Sequence, residues 1–307
     1  MGERALVTGV AGFLGEAVER RVLAGGAQCL GLGRARRARP GYRALDLASE
    51  PAALGSLMAE WRPDVIYHLA GGAAAGDPFV ANVATTRVLL EAVRAQAALR
   101  PRVVVVGSAA EYGDLGPEPV GEEARERPVT EYGVAKLAQT RLALVFRRAG
   151  MRVTVARPFN VMGPGMSASL APARFAREAL SAVSEGRDSI TVGDLSTIRD
   201  YLDVEDVARA IWKLGQLDPL DEIVNVCSGR GITTGDVLEE VVRQVGVSLA
   251  TRADPRLVRG PHDVPVCVGN PGRLGALMGE ALEFSLHRSV ARLLLPLRTQ
   301  QVGRQSK

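Results

Sequence analysis

An apolar strand pattern, a turn with glycines at every third position and a helical pattern follow one another at the start of the chain. No other feature constrains the fold as tightly. Arg4-Ala5-Leu6-Val7-Thr8 reads as a buried strand, Gly9-x-x-Gly12-x-x-Gly15 as the turn, and Val18, Val22 and Leu23 as the inward face of a helix. Glycines at this spacing permit a tight turn, let backbone approach a pyrophosphate and let the helix pack close to its strand, with the helix N-terminus facing the anion. Gly9, Gly12, Phe13, Leu14 and Gly15 are therefore candidate dinucleotide-binding residues.

The alternation continues. Strand patterns at Gln28 to Leu32, Asp64 to Ala70, Val103 to Gly107 and Val153 to Arg157 are separated by helical patterns, the order of a doubly wound α/β sheet. The β-branched run Val103-Val104-Val105-Val106 marks a strand covered on both faces. Beyond about residue 160 the alternation loosens. The expected architecture is a Rossmann-type doubly wound parallel sheet over residues 1–160, with segments near 200–230 returning to it. A smaller, partly interleaved α/β substrate domain is expected over 161–295, and a disordered polar tail over 296–307.

Ligands of open α/β sheets bind outside the carboxyl ends of the strands. Gly33-Arg34 ends the second strand where an acidic residue would take two ribose hydroxyls. A carboxylate there would repel a 2′-phosphate, whereas Gly33 leaves room and Arg34 can pair with it, which favours NADP(H); the bland alternative is a solvated arginine. Asp46-Leu47 suits an adenine contact, although an Asp at a strand end also serves as a helix N-cap. Leu69 and Ala70 lead into Gly71-Gly72, where small residues let a flat cofactor lie against backbone. His68 lies within an apolar strand and reads as a satisfied structural histidine, and Asn82 as a residue that holds backbone.

Ser108 closes the strand ending at Gly107 and is placed to meet a substrate. Tyr132 and Lys136 are four apart on a helical pattern, so a phenol and an ammonium share one face. A cation beside a phenolate stabilises it and is expected to bring the tyrosine nearer working pH, which makes the pair able to move a proton.

The 307 residues can bury a sizeable core, and 47% hydrophobic and 23% charged residues are ordinary for a globular protein. The formal charge of +4, with its basic residues clustered locally and only 4% aromatics, argues against nucleic-acid binding. No apolar run is long enough to span a bilayer and no leader pattern opens the chain, so a cytoplasmic protein is expected. Cys29, Cys227 and Cys267 suit neither a disulfide framework nor a metal site.

Together, Gly9-x-x-Gly12-x-x-Gly15, His68-Leu69-Ala70, Ser108, Tyr132-x-x-x-Lys136 and Arg157-Pro158-Phe159-Asn160 resemble the extended short-chain dehydrogenase/reductases that act on nucleotide sugars. Three stretches, at 106–113, 192–204 and 259–266, look most like the GDP-6-deoxy-4-keto-mannose reductases. The resemblance implies that Ser108 bonds a keto oxygen, Tyr132 is the acid/base, and Lys136 holds the nicotinamide ribose and lowers the tyrosine's pKa. It also implies that Arg199 and Arg259 clamp a nucleotide-sugar pyrophosphate and Asn160 touches sugar or phosphate. The expected activity is NADPH-dependent reduction of a nucleotide-linked 4-keto-6-deoxy sugar by a homodimer. An epimerase with bound NAD and a non-catalytic dinucleotide sensor are the alternatives.

Overall fold

The computed structural model describes residues 2–72, 76–96, 98–218, 221–257, 264–280, 282 and 284–305. Strands β1 (Arg4–Thr8), β2 (Gln28–Gly33), β3 (Tyr42–Ala44), β4 (Val65–His68), β5 (Arg102–Val106) and β6 (Val153–Pro158) alternate with α1 (Phe13–Ala24), α2 (Pro51–Trp61), α3 (Thr85–Arg94) and α4 (Glu131–Arg148). The chain then forms β7 (Asn160–Met162), α5 (Ala171–Glu185), β8 (Ser189–Val192), β9 (Ile198–Asp203), α6 (Val204–Leu214) and β10 (Ile223–Val226). It ends with β11 (Gly231–Thr233), α7 (Thr234–Val245), β12 (Ala250–Ala253), β13 (Val266–Cys267), α8 (Gly272–Met278) and α9 (Leu286–Gln305).

Seven parallel strands form the principal sheet in the order β10-β6-β5-β4-β1-β2-β3. The valines of β5 show why it is covered on both faces. Successive side chains of a strand point to opposite sides, so Val104 and Val106 join a core layer with Val18 and Val22 of α1 and Val207 and Ile211 of α6. Val103 and Val105 join the opposite layer, with Leu54 of α2, Leu89 of α3 and Leu144 of α4. Each buried valine contributes about 1.5–3 kcal/mol relative to exposure, and the doubly wound architecture follows from satisfying both faces. The chain leaves this sheet after β6 and returns through α6 and β10, whose Ile223 registers with Val155.

A smaller α/β region is built around β9, which pairs with β7, β11 and β13, together with the two-stranded β8–β12 ladder. Its core brings Phe175 of α5, Val237 and Val241 of α7, and Leu293 and Leu294 of α9 together. Buried Asp200 of β9 fastens this region to neighbouring loops. Its carboxylate accepts from the Ser228 amide at 2.8 Å and hydroxyl at 2.6 Å, the Gly229 amide at 2.8 Å and the Gly269 amide at 3.2 Å.

The disordered tail expected from residue 296 is not what the structure has: α9 runs through Pro296 to Gln305. Its last turns are extended from a docked stem. Val290, Leu293, Leu294 and Leu297 fall at helical spacing and face the smaller core, and Arg298 donates to the Gln244 carbonyl at 2.6 Å. Among the described residues no helix is long and apolar enough to cross a membrane.

Candidate active site

The turn after β1 is as tight as its glycines suggest. Gly9 has φ 69°, and a Cβ there would lie 2.7 Å from backbone of Leu69 and Ala70. A Cβ on Gly15 would lie 2.1 Å from the Gly9 carbonyl oxygen, so α1 starts in contact with the turn. Gly12 caps α1 with extended backbone and no side-chain acceptor, leaving first-turn amides open to an anion. Phe13 and Leu14, which follow, are half-buried against the core. This tight turn, which a side chain on Gly9 or Gly15 would disrupt, with the open amides at the head of α1, fits the pyrophosphate of a dinucleotide.

At the end of β2, Gly33 is explained by its neighbour: a Cβ would lie 2.8 Å from the Tyr42 hydroxyl. Of the arginines that follow, Arg39 binds Glu19 at 2.9 Å and Arg37 faces Glu16 at 3.7 Å, both on α1. Arg34 is exposed, with no hydrogen-bond or ion-pair partner among the described residues. Asp46 does not cap α2, whose N-cap is Glu50; its carboxylate accepts from the Ala48 amide at 3.0 Å, and its own amide donates to Glu50. Leu47 is buried in the core and Ala70 packs at its edge. The Ala70 amide donates to Thr8 Oγ1 at 3.2 Å. Asn82 accepts the Gly72 amide at 3.1 Å and so holds the loop after β4.

Ser108 stands just beyond β5 and caps the short turn Ala109–Glu111: its hydroxyl accepts from the Ala110 amide at 3.2 Å, while Glu111 accepts the Ser108 amide at 2.9 Å. Thr130 caps α4 by accepting the Gly133 amide at 3.0 Å. Gly133 sets the docking distance, since a Cβ there would lie 2.5 Å from the Ala110 carbonyl. The first turn of α4 thus presses on the Ser108 turn, which brings the Tyr132 phenol beside Ser108.

Burial pushes the Tyr132 phenol up from its ordinary value, the neighbouring Ser108 hydroxyl pulls it down and the Glu111 charge adds to the rise. The net direction is the reverse of the lowering expected from the sequence, because desolvation outweighs the help of the Ser108 hydroxyl. Lys136 Nζ is 6.0 Å from the Tyr132 ring centre and is buried, donating to the Val106 carbonyl at 2.8 Å and to Gln139 Oε1 at 2.9 Å. Burial lowers its pKa to about 8, against the opposing pull of Glu111. The result is a phenol that stays protonated at neutral pH beside a buried ammonium.

Beneath Ser108 lies an ion pair that the sequence reading did not identify. Glu111 and Arg157 are both fully buried and meet at 2.7 Å, and Arg157 also binds Glu126 at 2.8 Å and lies 4.7 Å from the Tyr112 ring centre. Nor did it identify Gln139, Thr86 and Thr8. Their signal was available in part, because Gln139 is one turn from Lys136 on the same helix face.

Asn160, on β7, donates to the Asp200 carbonyl at 3.3 Å. Arg199, half-buried on β9, donates to the carbonyls of Ile198 at 2.9 Å and Pro265 at 3.3 Å. Arg259 lies outside the described residues.

A doubly wound sheet with a glycine cradle at the head of α1, and a hydroxyl, phenol and ammonium gathered at its strand ends, defines a Rossmann-type dinucleotide-binding fold. The chain belongs to the NAD dependent epimerase/dehydratase family, whose model matches residues 5–227. It is 32% identical to the GDP-6-deoxy-D-mannose reductase of Pseudomonas aeruginosa over 85% of this chain and 89% of that one. Among solved structures, RMD from Pseudomonas aeruginosa complexed with NADPH superposes with TM-score 0.84 at 29% identity, covering 97% of this chain and 99% of that one. The Thermus thermophilus UDP-glucose 4-epimerase complex with NAD superposes with TM-score 0.83 at 26% identity, covering 96% and 99%.

Proposed function

We propose that this protein reduces the C4 ketone of a nucleotide-linked 4-keto-6-deoxy sugar with NADPH. The observation that carries the reading is the meeting of Ser108, just beyond β5, with the first turn of α4, where Tyr132 is followed one turn on by the buried Lys136 ammonium 6.0 Å from its ring centre, at the strand ends beside the Gly9–Gly15 cradle. The likeness to a GDP-6-deoxy-D-mannose reductase and to an NADPH-bound structure supports it. Arg34, exposed and unpartnered among the described residues, is the group assigned to the 2′-phosphate.

A reduced nicotinamide supplies the hydride in such a reduction. As the carbonyl oxygen gains charge, the hydroxyls of Ser108 and Tyr132 are the donors aimed at it. Tyr132 then gives its proton to the alkoxide, and Lys136 stabilises the resulting phenolate until solvent reprotonates it. Arg199 and Asn160, on neighbouring strands β9 and β7, are assigned to the nucleotide-sugar phosphates and sugar, with Arg259 in the same role.

An NAD-holding epimerase is the second reading, favoured by the likeness to the UDP-glucose 4-epimerase structure. Screening GDP-, UDP- and dTDP-linked 4-keto-6-deoxy sugars for NADPH oxidation tests the first. Protein that purifies with bound nicotinamide and interconverts 4-epimers without net oxidation of NADPH establishes the second.

A further inference from the structure

Lys136 has three N–H donors, and two are already assigned, to the Val106 carbonyl and to Gln139 Oε1. Gln139 cannot turn away, because its amide nitrogen donates to Thr86 Oγ1 at 2.7 Å. Thr86 in turn donates to the Asn82 carbonyl at 2.7 Å, which leaves its lone pairs for Gln139 and for His68 Nε2 at 2.9 Å. His68 must then be the Nε2–H tautomer, accepting at Nδ1 from Thr8 Oγ1 at 2.8 Å. Thr8 receives the Ala70 amide. Lys136, Gln139, Thr86, His68 and Thr8 are all buried, and one continuous run of hydrogen bonds links Lys136 to the cofactor-side loop.

We propose that Gln139, locked through Thr86 and His68 to the end of β4, is a positioning residue: it supplies the acceptor that keeps Lys136 charged and aims its third N–H toward the reacting groups. This rests on the catalytic reading above. Without Gln139, the only other hydrogen-bond acceptor of that ammonium among the described residues is a peptide carbonyl. The charged groups facing Lys136 from the elements around it are few. Glu111, in the turn after β5, raises its pKa; Arg157 neutralises much of that carboxylate; His68, on β4, is held neutral by burial and by Lys136 itself, with its pKa lowered to about 3. Tyr132 is the remaining titratable neighbour, on the same helix.

Lys136, Lys213 and Lys307 are the only lysines in the chain, so side-chain carbon-13 labelling of lysine gives a spectrum in which the buried residue can be followed through a pH titration without substrate. Gln139→Met keeps the length and removes the acceptor. It is expected to lower the Lys136 titration on the order of one pH unit, and Gln139→Glu to raise it. Where NADPH oxidation with a 4-keto-6-deoxy nucleotide sugar is measurable, the alkaline limb of kcat/KM should move in the same two directions. A Lys136 titration that stays in place in Gln139→Met overturns the proposal, whatever happens to thermal stability, since a space-filling role would alter melting alone. If Gln139→Met does not fold, Gln139→Leu removes the same acceptor and Gln139→Asn withdraws it by one methylene, and both face the same criterion. Tyr132→Phe run alongside separates the two readings: full turnover in that variant removes the catalytic assignment, while lost turnover with an unmoved Lys136 removes only the role of Gln139.

Discussion

Glu111 and Arg157 form a 2.7 Å ion pair with neither side chain reaching solvent, and Glu111 uses its other oxygen to hold the amide of Ser108. Burial opposes the arginine's charge, but Glu111, Tyr112 and Glu126 outweigh it and its pKa is raised, so the pair stays ionised on the arginine side. Removing one partner strands a buried charge. Arg157→Met is therefore expected to destabilise the fold by about 3–5 kcal/mol, measured by urea denaturation. A loss under about 1 kcal/mol would mean that the pair is not what fixes the Ser108 turn.

Arg34→Ala is expected to weaken NADPH selectively. A charge-assisted bond to phosphate is worth about 1.5–3 kcal/mol, so preference over NADH should fall on the order of ten- to a hundredfold. Equal Michaelis constants for the two cofactors in the unaltered protein would remove the basis for this assignment.

The pH profile should report Lys136. Its pKa is lowered by burial to about 8, and the ammonium is the working form. Activity is accordingly full below that value and lost as pH rises through it. The Tyr132 phenol, raised above its ordinary value, remains a proton donor across the same range. Because kcat/KM follows the free enzyme's groups, its alkaline limb is the quantity to measure; a profile flat to pH 10 would exclude Lys136 as the controlling group.

Dehydration between C5 and C6 of a sugar needs an acid and a base of its own. In similar 4,6-dehydratases an Asp-Glu pair follows the Ser or Thr, but Ala109 and Ala110 stand there in this chain. GDP-mannose and dTDP-glucose should both be returned unchanged with oxidised cofactor present; a product lighter by one water in the mass spectrum would contradict this.

The principal sheet was legible because its signals are local: a β-branched run in β5 and glycines at the head of α1 can each be read within a few residues. The smaller α/β region was harder. Its β9 is held by three partner strands from distant segments and by Asp200, and such pairings leave no periodic trace. The helical tail was missed because its polar end was read without the Val290, Leu293, Leu294 and Leu297 stripe that docks it. At the site, Ser108, Tyr132 and Lys136 could be named from type and spacing, and the structure brings them together. Their supports were only partly legible: Gln139 lies one turn from Lys136 on α4 and His68 reads as a satisfied structural histidine, but that Arg157 of β6 and His68 of β4 meet them is seen only in the fold.

The most direct test is Tyr132→Phe, studied by stopped-flow NADPH oxidation with a 4-keto-6-deoxy nucleotide sugar, beside a cofactor titration. One oxygen is removed, so NADPH should bind as before while turnover falls by about 10²–10⁴. Lys136→Met should damage both, since Lys136 is assigned to the ribose and to the phenolate. A Tyr132→Phe protein that reduces its substrate within a fewfold of the unaltered enzyme would place the proton source elsewhere, with Glu111 or an ordered water next, and would contradict the acid role assigned to Tyr132.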